Sequence, residues 1–161
     1  MKAKTNLPKL VTQFFDSCEI NKNLDRYYLF LIRQDGVVLY HNKNINDSTH
    51  KASIGALLGG VWQASKALAG FIPNESATDV FRLSFDTSSR GVYILPVYFH
   101  DEEFYLGLIY HDEVNPGFLK SKMRELGDQF KFYLETQVAA FLPEPKTKKT
   151  TEENLFENIT D

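Results

Sequence analysis

Four histidines and one cysteine are among the side chains of this sequence that could bind a metal ion or act as a nucleophile. His41, His50, His100 and His111 are scattered along the chain, and no two of them have the close spacing of a zinc site. Cys18 falls on the apolar side of a helical pattern, where a thiol is expected to be buried and inert. We therefore expect neither a metal site nor a catalytic cysteine.

Two further motifs could do chemistry if the fold shielded or exposed them suitably. The acidic run at 101–103 could supply paired carboxylates, but it lies between two apolar strands, where a hairpin tip is solvated. Gly55, Gly59 and Gly60 do not form a phosphate-binding loop, because they fall inside a predicted helix whose N–H groups are already used. The sequence thus predicts no catalytic residues and no cofactor, and the protein is not expected to be an enzyme.

Composition narrows the possible partners and the compartment. The net charge of −3 argues against a basic nucleic-acid-binding surface. The single cysteine excludes an intramolecular disulfide framework and fits the reducing cytoplasm. Residues 52–72 form the most apolar long segment, but Gln63, Ser65 and Lys66 lie at its centre, so we expect no membrane span.

Apolar periodicity predicts a five-stranded α/β (α+β) domain in the order α-β-β-α-β-β-β-α. Asp35 and Gly36, between two apolar runs, indicate a tight hairpin turn. Because the other strands are also joined by short turns, the sheet should be mainly antiparallel. Pro96 falls inside a strand and implies a bulge or an unpaired edge position. The predicted helices are 7–20, 52–72 and 115–142, and the predicted strands are 26–33, 37–42, 80–86, 91–99 and 104–110.

The helix predicted at 52–72 has two different faces that are both expected to be covered. One face is an apolar stripe with helical spacing, made of Ile54, Leu57, Leu58, Val61 and Leu68. The opposite face is small where a solvated helix would carry charges, and it consists of Ala52, Ala56, Gly59 and Gln63, flanked by Gly55 and Gly60. We expect the apolar stripe to pack on the protein's own sheet and the opposite face of the helix to contact a second surface.

The chain should consist of one domain, residues 1–142, and a polar C-terminal tail, residues 143–161. Pro143 and Pro145 end the last helical pattern. Within the tail, Thr150 and Glu153 have the spacing of a capping box, which would place a short docking helix at 151–160. Its apolar face would consist of Leu155, Phe156 and Ile159. The alternative is a frayed terminus without a docking helix.

The order of these motifs resembles the roadblock family, within the wider roadblock/longin group. Four segments carry the resemblance: LFLIRQDGVVLYH, SIGALLGGVWQASKALA, VYILPVYFHDEEFYLGLIYHDE and NPGFLKSKMRELGDQF. The resemblance implies a non-catalytic protein that dimerises through its third strand and second helix. It also implies a small Ras-like GTPase as partner, with bacterial gliding and polarity regulators acting as activators of such a GTPase. Ala56 and Gly59 or Gly60 match the small residues that contact the GTPase.

The sequence therefore predicts a homodimeric binding module that docks and regulates a small Ras-like GTPase in polarity or motility, as an activator or as a scaffold. The alternating strand at 80–86 suits self-pairing and adds Phe81, Leu83 and Phe85 to the predicted interface. Alternatively, the small helix face serves only to pack the two copies together. Two other protein classes remain open: a small-ligand sensor of the GAF or PAS kind, with Trp62 lining a pocket, and an acidic dimeric chaperone.

Overall fold

The fold is a five-stranded antiparallel sheet, as the sequence predicts, and the structure places helices on both of its faces. The computed structural model describes residues 6–18, 24, 27–42, 48–73 and 80–139. The strands lie in the order β2-β1-β5-β4-β3, so β2 and β3 are the two edges. The elements are α1 (Leu7–Ser17), β1 (Tyr28–Arg33), β2 (Val38–His41), α2 (Ser48–Ala69), β3 (Leu83–Asp86), β4 (Gly91–Phe99), β5 (Glu102–Tyr110) and α3 (Pro116–Ala139).

Helices α1 and α3 cover one face of the sheet and form the larger core with it. Both helices begin at an asparagine cap: the Asn6 side chain accepts from the backbone N–H of Lys9, and the Asn115 side chain accepts from that of Phe118. Aromatic contacts join the two helices, with the ring centroids of Phe14 and Phe130 5.2 Å apart. These contacts hold both helices in place on the sheet.

Helix α2 lies on the opposite face and forms a smaller core. Leu58 and Trp62 are its buried large side chains, and Trp62 packs on Tyr105 with ring centroids 5.1 Å apart. Phe30 and Ile32 of β1 complete this contact. On the same face of the sheet, Phe85 at the β3 edge remains 80 % exposed, so α2 does not cover that edge.

The prediction for the apolar stripe of α2 is wrong for three of its five residues. Leu57, Val61 and Leu68 are exposed, at 67 %, 48 % and 69 %. The helix instead buries Gly55 and Gly59, which face Gly36 in the turn between β1 and β2. Because these glycines have no side chain, α2 approaches the turn closely, and Leu57, Val61 and Leu68 are left facing away from the sheet.

Pro96 lies where β4 has a neighbouring strand on one side only, and β4 has no bulge there. The register between β4 and β5 is continuous from Gly91 to Phe99. Pairing of β4 with β3 ends at Ile94, so Pro96 lies beyond the stretch that β3 covers. The missing N–H therefore costs the sheet little.

Several predictions fall outside the described residues. The boundary between domain and tail, the helix at 151–160, and Leu155, Phe156 and Ile159 all lie beyond residue 139. Within the described ranges, no helix is long and apolar enough to cross a membrane. The same ranges contain no cluster of three or more side chains that could hold a metal ion.

The close approach of α2 to the hairpin turn gives a matched pair of glycine substitutions. A Cβ atom on Gly55 would lie 2.4 Å from the Gly36 carbonyl oxygen and 2.8 Å from Cγ2 of Val38. Gly55→Ala should therefore lower the free energy of unfolding by about 2 kcal/mol. A Cβ atom on Gly60 would meet nothing within 4 Å, so Gly60→Ala should raise it by about 1 kcal/mol through helix propensity. Urea denaturation measures both values, and equal stabilities would contradict the placement of α2.

Candidate functional site

α2 and the third-strand segment both carry apolar side chains that the sheet does not fully cover. Leu57, Val61 and Leu68 recur at helical spacing and share one side of α2. Leu68 lines a cavity together with Phe81 and Leu83, so α2 meets the third-strand segment at Leu68. We call these side chains the apolar flank, which consists of Leu57, Val61 and Leu68 of α2 with Phe81, Phe85 and the half-buried Leu83 of the third-strand segment.

The cavity within the apolar flank has a volume of about 360 Å³. Trp62 forms part of its wall and is 97 % buried, since only 3 % of its surface is exposed. Its indole N–H has no hydrogen-bond partner among the described residues. Lys66 and Arg82 also line the cavity. A bound molecule would therefore meet apolar walls, one free donor and two cationic side chains.

The backbone of β3 presents one unpaired edge beside the apolar flank. β3 pairs with β4 from Leu83 to Asp86, and no other described strand lies beyond it. Phe85 projects from the face that α2 occupies, because it pairs with Val92, which packs against the smaller core. An exposed edge with apolar side chains favours pairing with another strand.

The outward side of α2 carries only small side chains at its centre. We call it the small face, and it consists of Ala56, Gly60, Ala64 and Ala67, all of which are exposed. Ala52 is exposed near the hairpin turn, where it lines a shallow depression with Ala56. A helix surface without long side chains lets a partner approach the backbone closely.

Three residues that the sequence analysis placed on the outward face of α2 instead make contacts within the chain. Gly55 and Gly59 are buried against the hairpin turn. The Gln63 amide donates to the hydroxyl of Tyr105 at 2.9 Å. The structure also brings Leu57, Val61 and Leu68 into the candidate site, and sequence reasoning missed them because their spacing is the same for a buried and an exposed stripe.

Comparison with solved structures identifies the fold. Myxococcus xanthus MglB is similar with a TM-score of 0.60 and 16 % sequence identity, over 78 % of this chain and 97 % of that one. The chain adopts the roadblock/longin-like fold. The gliding protein mglB of Thermus thermophilus matches at a TM-score of 0.60 and 17 % identity, over 80 % of this chain and 92 % of that one.

A roadblock/LC7 domain from Streptomyces avermitilis shares the same fold, with a TM-score of 0.55 and 16 % identity over 70 % of this chain and 91 % of that one. No protein-family model matches the sequence, and no curated protein is significantly similar to it. The likeness therefore lies in the arrangement of the elements and hardly in the sequence.

An ion pair between a half-exposed lysine and a buried glutamate joins α2 to the roadblock sheet. Glu103 is buried, and its Oε2 lies 2.8 Å from Nζ of Lys66. The hydrogen bond from Lys66 to this carboxylate raises the pKa of the lysine. The expectation that the acidic run at 101–103 is solvated is thus wrong for Glu103, because α2 covers the start of β5.

A second polar cluster holds β3 against α3 on the other face of the roadblock sheet. Nζ of Lys120 lies 2.5 Å from Oδ2 of Asp86, and the Tyr110 hydroxyl donates to the same oxygen at 3.0 Å. Burial and this bond raise the pKa of Tyr110 to about 12. The hydrogen bond from Lys120 lowers the pKa of Asp86. These contacts fix the end of β3, so Phe85 stays on the apolar flank.

Proposed function

We propose that this chain is a non-catalytic homodimer that docks and regulates a small Ras-like GTPase. The observation that carries the dimer is the apolar flank, whose six large side chains lie beside an unpaired strand edge. In a two-fold dimer each of these residues is buried twice, once in each copy. Joining the β3 edges would pair their backbones and cover Phe85 at the same time.

The small face remains outward in such a dimer and is the proposed docking surface for the GTPase. It is adjacent to the apolar flank on α2 but contributes no large side chain to it. Support for this partner comes from the roadblock fold and from the resemblance noted in the sequence. The structural likeness includes proteins named for gliding, which supports a role in polarity or motility.

Regulation is proposed to act through the switch segments of the GTPase and not through an inserted arginine. Arg33 already makes a two-bond pair with Asp35, with N–O distances of 2.9 and 2.6 Å. This bond lowers the pKa of Asp35 to about 2. A partner that binds one switch conformation more tightly shifts the population toward it. The outcome is activation or scaffolding, and the cytoplasm is the compartment that the single cysteine supports.

Residues 150–161, which we call the distal tail, are proposed as a second contact with the GTPase. Leu155, Phe156 and Ile159 would form one apolar helix face, as amphipathic segments do in partner grooves. A chain ending at residue 149 should bind the GTPase more weakly and keep its thermal midpoint. Unchanged binding in a titration of the GTP-loaded GTPase would remove the distal tail from the proposal.

A small-ligand sensor is the second candidate, and the cavity beside Trp62 favours it. The buried indole N–H lacks a partner among the described residues and lines an apolar cavity. Trp62 is also the single tryptophan of the chain, so its fluorescence reports directly on this cavity. A saturable change in that fluorescence on adding an amphipathic carboxylate such as decanoate would support the sensor, and its absence would count against it.

A further inference from the structure

A second apolar surface lies on the opposite face of the sheet, in a groove between α1 and α3. The groove has a volume of about 860 Å³. Phe14, Phe132 and Tyr133 supply its aromatic walls. Cys18 lines its α1 side and is only half-buried, so the expectation of a fully buried thiol is wrong. Phe132 is 70 % exposed. An aromatic side chain with that exposure beside two other rings is a favourable contact for another apolar segment.

The rim of the groove is acidic. Glu125 and Asp128 of α3 both line it. Lys122 pairs with Glu125 at 3.2 Å along the helix surface, a contact of the exposed kind that stabilises by less than about 1 kcal/mol. Asp128 has no cationic partner among the described residues. A basic segment would therefore gain charge pairing here.

The sequence directly after α3 has the complementary composition. Phe141 and Leu142 provide two large apolar side chains, and Lys146, Lys148 and Lys149 provide three positive charges. Pro143 and Pro145 stand between these two groups and oppose continuation of a helix. The order is thus apolar, then a break, then basic.

Residues 140–149 are also long enough to span the groove. Thr136 lines the groove and lies three residues before Ala139, the last residue of α3. From Thr136 back to Glu125 the helix axis covers roughly 17 Å, at about 1.5 Å per residue. An extended chain covers roughly 3.3 Å per residue, so five residues span the groove and the ten at 140–149 leave enough for a turn.

We propose that residues 140–149 fold back along α3 and occupy this groove. Phe141 and Leu142 pack on Phe132 and Tyr133, and the three lysines pair with Glu125 and Asp128. Residues 140–149 are favoured over a separate partner as the occupant of the groove, because their covalent link to α3 holds them at an effective concentration in the millimolar range. Occupancy shields Cys18 and fixes the direction in which residues 150–161 leave the domain. This inference is independent of the proposed GTPase and of the dimer.

Cys18 is the single cysteine of the chain and therefore a direct probe of the groove. The test measures the rate at which iodoacetamide, a neutral reagent, alkylates Cys18 in the full chain and in chains ending at residue 149 and at residue 139. We expect equal rates for the full chain and the chain ending at 149. The chain ending at 139 should react about tenfold faster, which is the ratio for a segment docked about 90 % of the time. Equal rates in all three would overturn the proposal.

Charge reversal identifies the occupant. In the double variant E125K/D128K, Cys18 should be alkylated at about the same rate in the full chain and in the chain ending at residue 139. Adding K146E, K148E and K149E should restore the difference between these two rates, as expected for interacting partners. Glu135→Lys is the matched control, because Glu135 is exposed on α3 outside the groove. Comparing each variant with its own truncation cancels any direct effect of the new charges on the thiol. Protection that grows with protein concentration would assign the groove to a second copy and contradict the proposal.

Discussion

Phe85→Glu should convert the proposed homodimer into monomers without unfolding the chain. Phe85 is 80 % exposed in the single chain, so its replacement should change the stability of the fold by less than about 0.5 kcal/mol. In the dimer the substitution removes two apolar side chains and places two carboxylates in the interface. The dimer should weaken by on the order of 4 kcal/mol, roughly a thousandfold in its dissociation constant.

Val114→Glu is the matched control for this substitution. Val114 is 98 % exposed and precedes α3, on no part of the apolar flank. Light scattering at micromolar concentration should give twice 18.5 kDa for the native chain and for Val114→Glu, and 18.5 kDa for Phe85→Glu. If Phe85→Glu keeps the doubled mass, the dimer uses another surface.

Gly60→Arg should abolish binding of the GTPase and leave the dimer intact. Gly60 lies at the centre of the small face, and the space around it is empty within 4 Å. Arginine there extends outward and keeps the partner from the helix backbone. Loss of a central contact costs about 3 kcal/mol, or roughly a hundredfold in affinity. The helix itself should become more stable, because arginine is a better helix former than glycine.

Two variants separate steric blocking from other effects of this substitution. Gly60→Ala adds only a methyl group and should bind the GTPase nearly as well as the native chain. Gln13→Arg adds the same charge on α1, on the other face of the sheet, and should bind normally. Binding is measured by titration with a bacterial Ras-like GTPase loaded with GTP. Loss of the dimer in Gly60→Arg would show that the small face packs the two copies together.

The order of elements follows from the sequence because its signals are local. Asp35 and Gly36 mark the first hairpin, and Asn115 with Pro116 marks the start of α3. Alternating apolar residues at 80–86 indicate a strand with one apolar side. In the structure the Gly36 φ of 87° fits the turn, and β3 lies at the edge of the sheet. These features depend on neighbours within a few residues, which a sequence shows directly.

The orientation of α2 could not be predicted because a distant contact decides it. Its periodicity allows either Leu57 and Val61 or the opposite side to face the sheet. The choice depends on Gly55 meeting Gly36, two residues far apart in sequence. The burial of Glu103 could not be predicted for the same reason, because it depends on Lys66 of α2 lying next to it. The predicted interface on α2 and β3 therefore stays a prediction, and the structure changes only which side of α2 faces outward.

The most direct test of the central claim is a native-mass measurement of the chain alone and with a Ras-like GTPase loaded with GTP or with GDP. A homodimeric GTPase regulator should give a mass of twice 18.5 kDa alone. With the GTP-loaded partner it should give a heavier complex that still contains two copies of this chain, and with the GDP-loaded partner much less of that complex. A monomer that binds neither nucleotide form would contradict the claim.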